Sequence, residues 1–442
     1  MAVKALNGQS VERTPRPIKI LQFGEGNFLR AFVDWQVDIA NEMGIMDAGI
    51  AICKPRPNSS QKRGTIEVLK GQDCLYHTYL EGVKDKKPMK EVRLIKSVQC
   101  AINPYEEYDK YEQIILSPEL KIVISNTTEA GIRYEEDDLS ALPPKSYPAK
   151  VAALLYKRFK HFAGDPTKGL CVICCELIED NGSTLHEYVI KHAKHNNLEI
   201  EFIDWVEHNC NFCDTLVDRI VPGFPTDTID EIKEELGFDD NLVVKAEFYH
   251  LWAIGGPGYK KVMEELPLDK AGLHVIFMPS IKQFRDKKVR ILNGSHTGMV
   301  TMALLMGCET VMDAFNTPDI EKFVNDMVAE EVIPMIEEDQ ESVLAMFIGE
   351  IRSKFGVLSR EVIVPFLPDM ELENVEFKVP VRGDKLALLE LSARNAKEMR
   401  LNALKQQEHK DPDAYKNMVM ESLRKQIGMK ELPVHIECFD NS

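Results

Sequence analysis

IKILQFGEGNFLRAF, residues 18–32, decides how the first half of this 442-residue chain is read. Ile18 to Phe23 form an apolar run of strand length, and from Phe28 to Met43 the residues suit a helix. Between them stand Gly24 and Gly26, a G-x-G directly after a strand and directly before a helix. That context suits a phosphate-binding turn. The first glycine permits the tight turn. The second removes a Cβ where a pyrophosphate must approach the backbone, and the helix N-terminus offers N–H donors and a positive dipole end. Arg30, in the first helical turn, offers a cation. Two residues depart from the fuller G-x-G-x-x-G pattern: Leu29 replaces the third glycine, and Glu25 brings a negative charge. A plain glycine-rich turn is the alternative.

Working outward, GIAIC (49–53), KIVIS (121–125) and LCVICCE (170–176) read as further strands, with helices around 148–161 and from Ser183. Alternating strands and helices predict a parallel sheet covered on both faces. TIEVLKG (65–71) and CLYHTYLEGV (74–83) alternate with period two and predict a hairpin insertion. LVVKAEFYHLWAI (242–254) and LHVIFMPS (273–280) predict two more strands. After Ile281 the pattern changes. Segments 288–306, 319–336, 340–355, 386–408 and 412–427 carry apolar residues three and four apart. The expected architecture is an α/β Rossmann-type domain with a mostly parallel sheet over 1–279, then a mostly α-helical domain over 280–442.

Composition narrows the function. A net charge of −17 makes the chain a poor candidate for nucleic acid, whose phosphates demand a basic face, and gives no reason to expect an anionic membrane as partner. No run of about 18 apolar residues predicts a membrane-spanning helix. The N-terminus lacks a signal-peptide core, so a cytoplasmic protein is expected. The ten cysteines include Cys171, Cys174 and Cys175 inside an apolar run, as reduced, buried thiols would be. Cys210 and Cys213 form a C-x-x-C beside His208, but no second ligand pair follows, so packing is expected there and no metal. Charge does not decide between monomer and homodimer.

The second strand ends Ile52, Cys53, Lys54, Pro55, Arg56, without the acid that would bind the ribose of NAD. Lys54 and Arg56 suit a 2′-phosphate or open solvent, so these residues leave NAD and NADP open. SNTTEAGI (125–132) sets Asn126, Thr127, Thr128 and Glu129 at the carboxyl end of a strand, where such folds bind ligands. A capped turn is the alternative.

KVRILNGSHTGMV (288–300) places Lys288, Asn293 and His296 among apolar residues. In a helix, Asn293, His296 and Val300 share a face, and Lys288 lies about one and a half turns earlier, within reach of its long arm. Hydride transfer without a metal needs a group that exchanges the hydroxyl proton and donors for the oxygen whose charge changes. Lysine, asparagine and histidine fill those roles. A surface lysine, an asparagine cap and a core histidine are the plain alternative.

Three blocks, in order, carry a resemblance. GEGNFLRAF (24–32) resembles the G-x-G-x-F-x-R-A loop of the long-chain mannitol dehydrogenase family. DTLVDRIVP (214–222) is similar to its S-M-V-D-R-I-T-P signature, and KVRILNGSH (288–296) to its K-x-x-x-x-N-x-x-H signature. Within the family, SNTTEAGI, CELIEDNG and FYHLWAI look like the branch that reduces uronates. The resemblance implies Lys288 as general acid/base, with Asn293 and His296 holding the reacting oxygen. It implies Gly24, Gly26, Asn27, Phe28, Arg30, Thr127 and Glu129 as dinucleotide contacts, Asp218 close to the nicotinamide, NAD as cofactor, and no metal. A sugar-acid carboxylate calls for a cation, for which Arg382 and Arg394 are candidates. Aligned on Asn181-Gly182, Leu177 stands where mannitol dehydrogenases carry an oxygen-binding asparagine, which suits a uronate better than mannitol. A sister uronate or polyol activity, and a dinucleotide sensor without turnover, remain as rivals.

Overall fold

The computed structural model describes residues 3–57, 64–84, 87–128, 130–332, 344, 348, 360–368, 372, 375–392 and 394. The chain packs as two units, Met1–Val357 with Asp369–Glu371, and Leu358–Pro368 with Leu372–Ser442.

The first unit is built on eight strands: β1 (Ile18–Phe23), β2 (Gly49–Cys53), β3 (Val98–Ile102), β4 (Ile122–Ser125), β5 (Cys171–Cys174), β6 (Asn211–Asp218), β7 (Leu251–Gly255) and β8 (Val275–Met278). Their order across the sheet is β8-β7-β6-β5-β4-β1-β2-β3. The six strands from β3 to β6 are all parallel, in the doubly wound order of a Rossmann-type domain. β7 then runs antiparallel to β6, and β8 parallel to β7. Order reverses between β1 and β4, so their carboxyl ends open the crevice where such sheets take ligands.

Burial on both faces explains the apolar strands. In β1, Ile20 faces a core shared with Phe32 and Val37 of α1 (Asn27–Glu42). Leu21 and Phe23 face the opposite core, against Val151 and Leu154 of α2 (Tyr147–His161) and Leu185 of α3 (Asn181–His195). α3 presses close to the sheet: a Cβ on Gly182 would sit 2.2 Å from the carbonyl oxygen of Cys213. Cys171, Cys174, Cys175, Cys210 and Cys213 are all buried and free, and burial raises the pKa of each.

Several expected elements come out differently. TIEVLKG is a helix, Thr65–Gly71, because its two buried residues, Ile66 and Leu69, stand three apart. The hairpin pairs Tyr76–Lys84 with Lys87–Ile95, whose charged residues mask the alternation of Val92 and Leu94. The run 242–254 breaks in two: Val244–Ala246 joins the hairpin strand, and only Leu251–Gly255 enters the main sheet. Segment 288–306 is not one regular helix. α4 (Lys282–Lys288) leads into a π-helical turn, Val289–Asn293, and then α5 (Gly294–Leu305). A helix at Pro318–Asp326 follows and packs Ile320 and Val324 against Met299 and Ala303 of α5.

In the second unit, Glu361–Ile363 pairs in parallel with Glu376–Lys378, and a helix spans 384–392. Lys378 and Lys385 both pair with Glu361. Segments 412–427 and most of 340–355 lie outside the described residues. Among the described residues, no helix is long and apolar enough to cross a membrane.

Candidate active site

The glycine turn is shaped by two different needs. Gly24 has φ +135°, and a Cβ there would press to 3.0 Å from both the Asn126 carbonyl and Leu29 Cδ1. Leu29, in place of a third glycine, therefore fills the inside of the turn. Gly26 is strained by nothing: a Cβ there would meet no atom within 4 Å. It caps α1 without any side chain covering the first-turn N–H groups. Open space before uncovered donors at a helix N-terminus fits a pyrophosphate.

The charges around the turn are arranged differently from expectation. Burial raises the pKa of Glu25, while the Lys54 ammonium, 3.9 Å away, works in the other direction. Arg30 is only 3% exposed. Its N–H groups go to the Leu242 carbonyl at 2.6 Å, the Asn27 side chain at 2.6 Å and the Glu25 carbonyl at 3.2 Å. Arg30 and Asn27 thus brace the turn from within. Next to them lies Asp34, fully buried, accepting the Tyr76 hydroxyl at 2.7 Å; burial pushes its pKa up to about 7.

The loop after β4 hangs on a carboxylate. Glu176 accepts the Thr127 N–H and hydroxyl, both at 2.9 Å, and the Ser125 hydroxyl at 3.1 Å. Burial raises its pKa against those three bonds. Asn126 donates to the Cys175 carbonyl, and Arg56 reaches Thr128 Oγ1 at 3.4 Å. Thr127 is buried, whereas Asn126 and Thr128 face a cavity of about 690 Å³. Glu129 lies outside the described residues.

Phe28, Leu177, Asp218, Lys288 and Asn293 line the same cavity. Lys288 Nζ stands 3.0 Å from Asp218 Oδ2 at the end of β6. The π-helical turn explains how Lys288 and Asn293 come to line one cavity. Five residues of α-helix would leave them about 140° apart around the axis, whereas a π-turn closes its hydrogen bond on the fifth residue. α4 is anchored beside the cavity by Arg285, which pairs with Glu179 at 2.6 Å and Asp180 at 2.9 Å. His296, one turn further, is exposed, with Nδ1 3.0 Å from the Leu292 carbonyl. A carbonyl only accepts, so that contact is made by an N–H on Nδ1, and Nε2 makes no hydrogen bond with a described residue. His296 is not among the residues lining this cavity.

Leu177 is 66% exposed on the cavity wall, offering an apolar surface at the position of the missing donor. Arg382 and Arg394 both belong to the second unit and are exposed there. Sequence reasoning passed over Glu176, whose role depends on folding 49 residues back onto Thr127. It also passed over Arg285, although a basic residue one turn before the lysine was visible. Among the described residues, no group of three or more His, Cys, Asp or Glu side chains is placed to hold a metal ion.

A model of the mannitol dehydrogenase Rossmann domain matches residues 18–268, and one of the mannitol dehydrogenase C-terminal domain matches 280–357. Both matches fall within Met1–Val357, the long stretch of the first packed unit. A UvrC ribonuclease H-like domain model matches 328–403, a stretch only partly within the described residues. The altronate oxidoreductase of Bacillus subtilis (strain 168) is 43% identical over 343 residues, 77% of this chain and 69% of that protein. The altronate oxidoreductase of Yersinia enterocolitica (serotype O:8 / biotype 1B) is 40% identical over 355 residues, 80% of this chain and 72% of its own length. Among solved structures, the mannitol 2-dehydrogenase of Pseudomonas fluorescens, in ternary complex with NAD and D-mannitol, shares the fold. Its TM-score is 0.58 at 23% identity, over 80% of this chain and 71% of that one. With both domain models matched in order over one continuous unit, the chain belongs to the mannitol dehydrogenase family and is an oxidoreductase acting on CH–OH groups.

Proposed function

We propose that this chain reduces the ketone of D-tagaturonate to D-altronate with NADH, and oxidises altronate in the reverse direction. The observation that carries this reading is the Lys288–Asp218 pair, 3.0 Å apart in a cavity that also takes in Phe28 and Asn126. Phe28 and Asn126 flank the glycine turn, so the amine and the dinucleotide turn serve one space. The name shared by the two curated relatives supports altronate as the alcohol.

When bound, the reduced dinucleotide supplies the hydride. The residues of the chain do the rest. Gly26 and the first turn of α1 take the pyrophosphate, and Asn126 and Thr128 line the approach to the ribose and nicotinamide. Lys288 gives a proton to the oxygen of the carbonyl as its carbon accepts hydride, and takes it back in the reverse direction. Asp218 orients the ammonium. The Asn293 amide donates to the same oxygen, whose negative charge grows as the carbonyl opens. His296, one turn beyond Asn293, is the further side chain assigned to hold the substrate oxygen, through Nε2. Leu177 offers no donor to a neutral polyol, which favours a sugar acid over mannitol. Residues 1–279 bind the dinucleotide, and the helices from 280 onward bring the catalytic amine. The nine free cysteines among the described residues accord with a cytoplasmic enzyme.

The test is NADH oxidation assayed in parallel on D-tagaturonate, D-fructuronate and D-fructose, with NADPH as a second donor. Tagaturonate with NADH is expected to give the highest kcat/KM. A preference for fructuronate or fructose moves the chain to a sister activity. Dinucleotide binding without turnover on any of the three makes it a sensor.

A further inference from the structure

We infer that Arg133 is the residue that recognises the carboxylate of the sugar acid. The inference rests on the proposed uronate substrate and adds the group that selects it. Three cations line the cavity: Lys288, Arg219 and Arg133. Lys288 is paired with Asp218. Arg219 is only 5% exposed, gives N–H groups to the Ala31 and Glu247 carbonyls at 2.7 and 2.9 Å, and stacks 4.2 Å from the Trp35 ring. Its Nε and Nη1 are committed to the protein, and Nη2, although without a hydrogen-bond partner, is itself buried. Arg133 is exposed and has no hydrogen bond or ion pair with any described residue.

Its place in the chain is nevertheless set by its neighbours. Thr127 is held by Glu176, and the chain then winds tightly: Gly131 N–H donates to the Thr128 carbonyl at 2.9 Å. A Cβ on Gly131 would fall 1.9 Å from Thr127 Oγ1, so the turn admits only glycine there. Ile132 is buried in the core beneath the sheet. Its anchoring leaves the next side chain, Arg133, at the cavity. A guanidinium matches a carboxylate through two parallel N–H···O bonds. Leu177 supplies an apolar surface in the same cavity.

The experiment is steady-state kinetics of wild type, R133M and R133K on D-tagaturonate and on a neutral ketose, D-fructose, with a fluorescence titration of NADH. R133M is expected to raise KM for tagaturonate about 10- to 100-fold, the loss of a charge-assisted contact. Its kcat should stay within about three-fold, and fructose turnover and NADH affinity should hold. R133K should recover part of the loss, since it restores charge without the planar fork. An unchanged tagaturonate KM in R133M overturns the inference, as does an equal loss on fructose. Weakened NADH binding in R133M would make Arg133 a dinucleotide contact and also overturn it. Loss of tagaturonate affinity in R382A or R394A, with R133M unaffected, would move the carboxylate to those residues. A wild-type enzyme that reduces fructose but no uronate removes the substrate reading and this inference together. Turnover of tagaturonate with an unmoved KM in R133M removes the inference alone.

Discussion

Lys288 Nζ lies 3.0 Å from Asp218 Oδ2, joining the last residue of α4 to the last residue of β6. The amine therefore sits at the carboxyl edge of the sheet, where a doubly wound fold presents its ligands.

Replacing Lys288 by methionine is expected to lower kcat by about 10²- to 10⁴-fold, the usual contribution of a positioned acid/base. NADH affinity, read by fluorescence titration, should change little. Asp218→Asn keeps a hydrogen-bond acceptor for the amine and should lose about ten-fold in kcat. If K288M retained near-normal turnover, the amine would have no part in the chemistry.

The two glycines of the turn should separate folding from binding. Gly26→Ala adds a methyl into open space, so thermal stability should hold within about 0.5 kcal/mol while dinucleotide affinity falls at least about ten-fold. Gly24→Ala forces a side chain into φ +135° against the Asn126 carbonyl and should destabilise by about 1–3 kcal/mol. Calorimetry with and without NADH reads both. Equal effects on stability from the two variants would contradict the division.

Glu176→Ala removes the acceptor of three hydrogen bonds and leaves Thr127 N–H and two hydroxyls unpaired in a buried place. A loss of about 1–3 kcal/mol in urea unfolding is expected, with weaker NADH binding because the loop after β4 loosens. Glu176→Gln keeps an acceptor oxygen and should cost markedly less. Equal losses for alanine and glutamine would show that the carboxylate only fills space.

Asp34 gives a pH signature. The unfolded carboxyl releases its proton near 3.8, whereas the buried native one holds it to about 7. A raised native pKa contributes stability that is full below about pH 4 and fades as pH rises through about 7. The difference in unfolding free energy between wild type and Asp34→Asn should therefore slope by about 1 kcal/mol per pH unit between those limits, with the variant gaining toward pH 8. A flat difference would mean that Asp34 is ionised in the native state throughout.

The alternation of apolar strands and helices was open to view because β1, β2, β4 and β5 are buried on both faces and read as unbroken apolar runs. The hairpin strand Lys87–Ile95 was hidden by its lysines and glutamate, which say nothing about pairing. TIEVLKG misled because seven residues fit either period, and only the packing of Ile66 and Leu69 decides between them. In the site, Lys288, Asn293 and Asp218 were legible as residues, since their spacing lies within two short blocks. Their place on one cavity was not, because it depends on a π-turn that no local pattern announces. Arg30 was legible as a basic residue at the turn, but its partners were not: burial turns it onto three protein oxygens.

The wide turn at Val289–Asn293 has an evolutionary and an engineering consequence. Such a turn is an α-helix carrying one surplus residue, and the surplus is what swings the amide toward the amine. Deleting a single residue there would let the helix relax to its regular winding, with every later side chain rotated by about 100°. A change that is usually harmless in a surface helix would here pull Lys288 and Asn293, the proposed proton donor and oxygen clamp, apart while leaving the fold intact, so this short stretch should tolerate substitutions far better than changes in length.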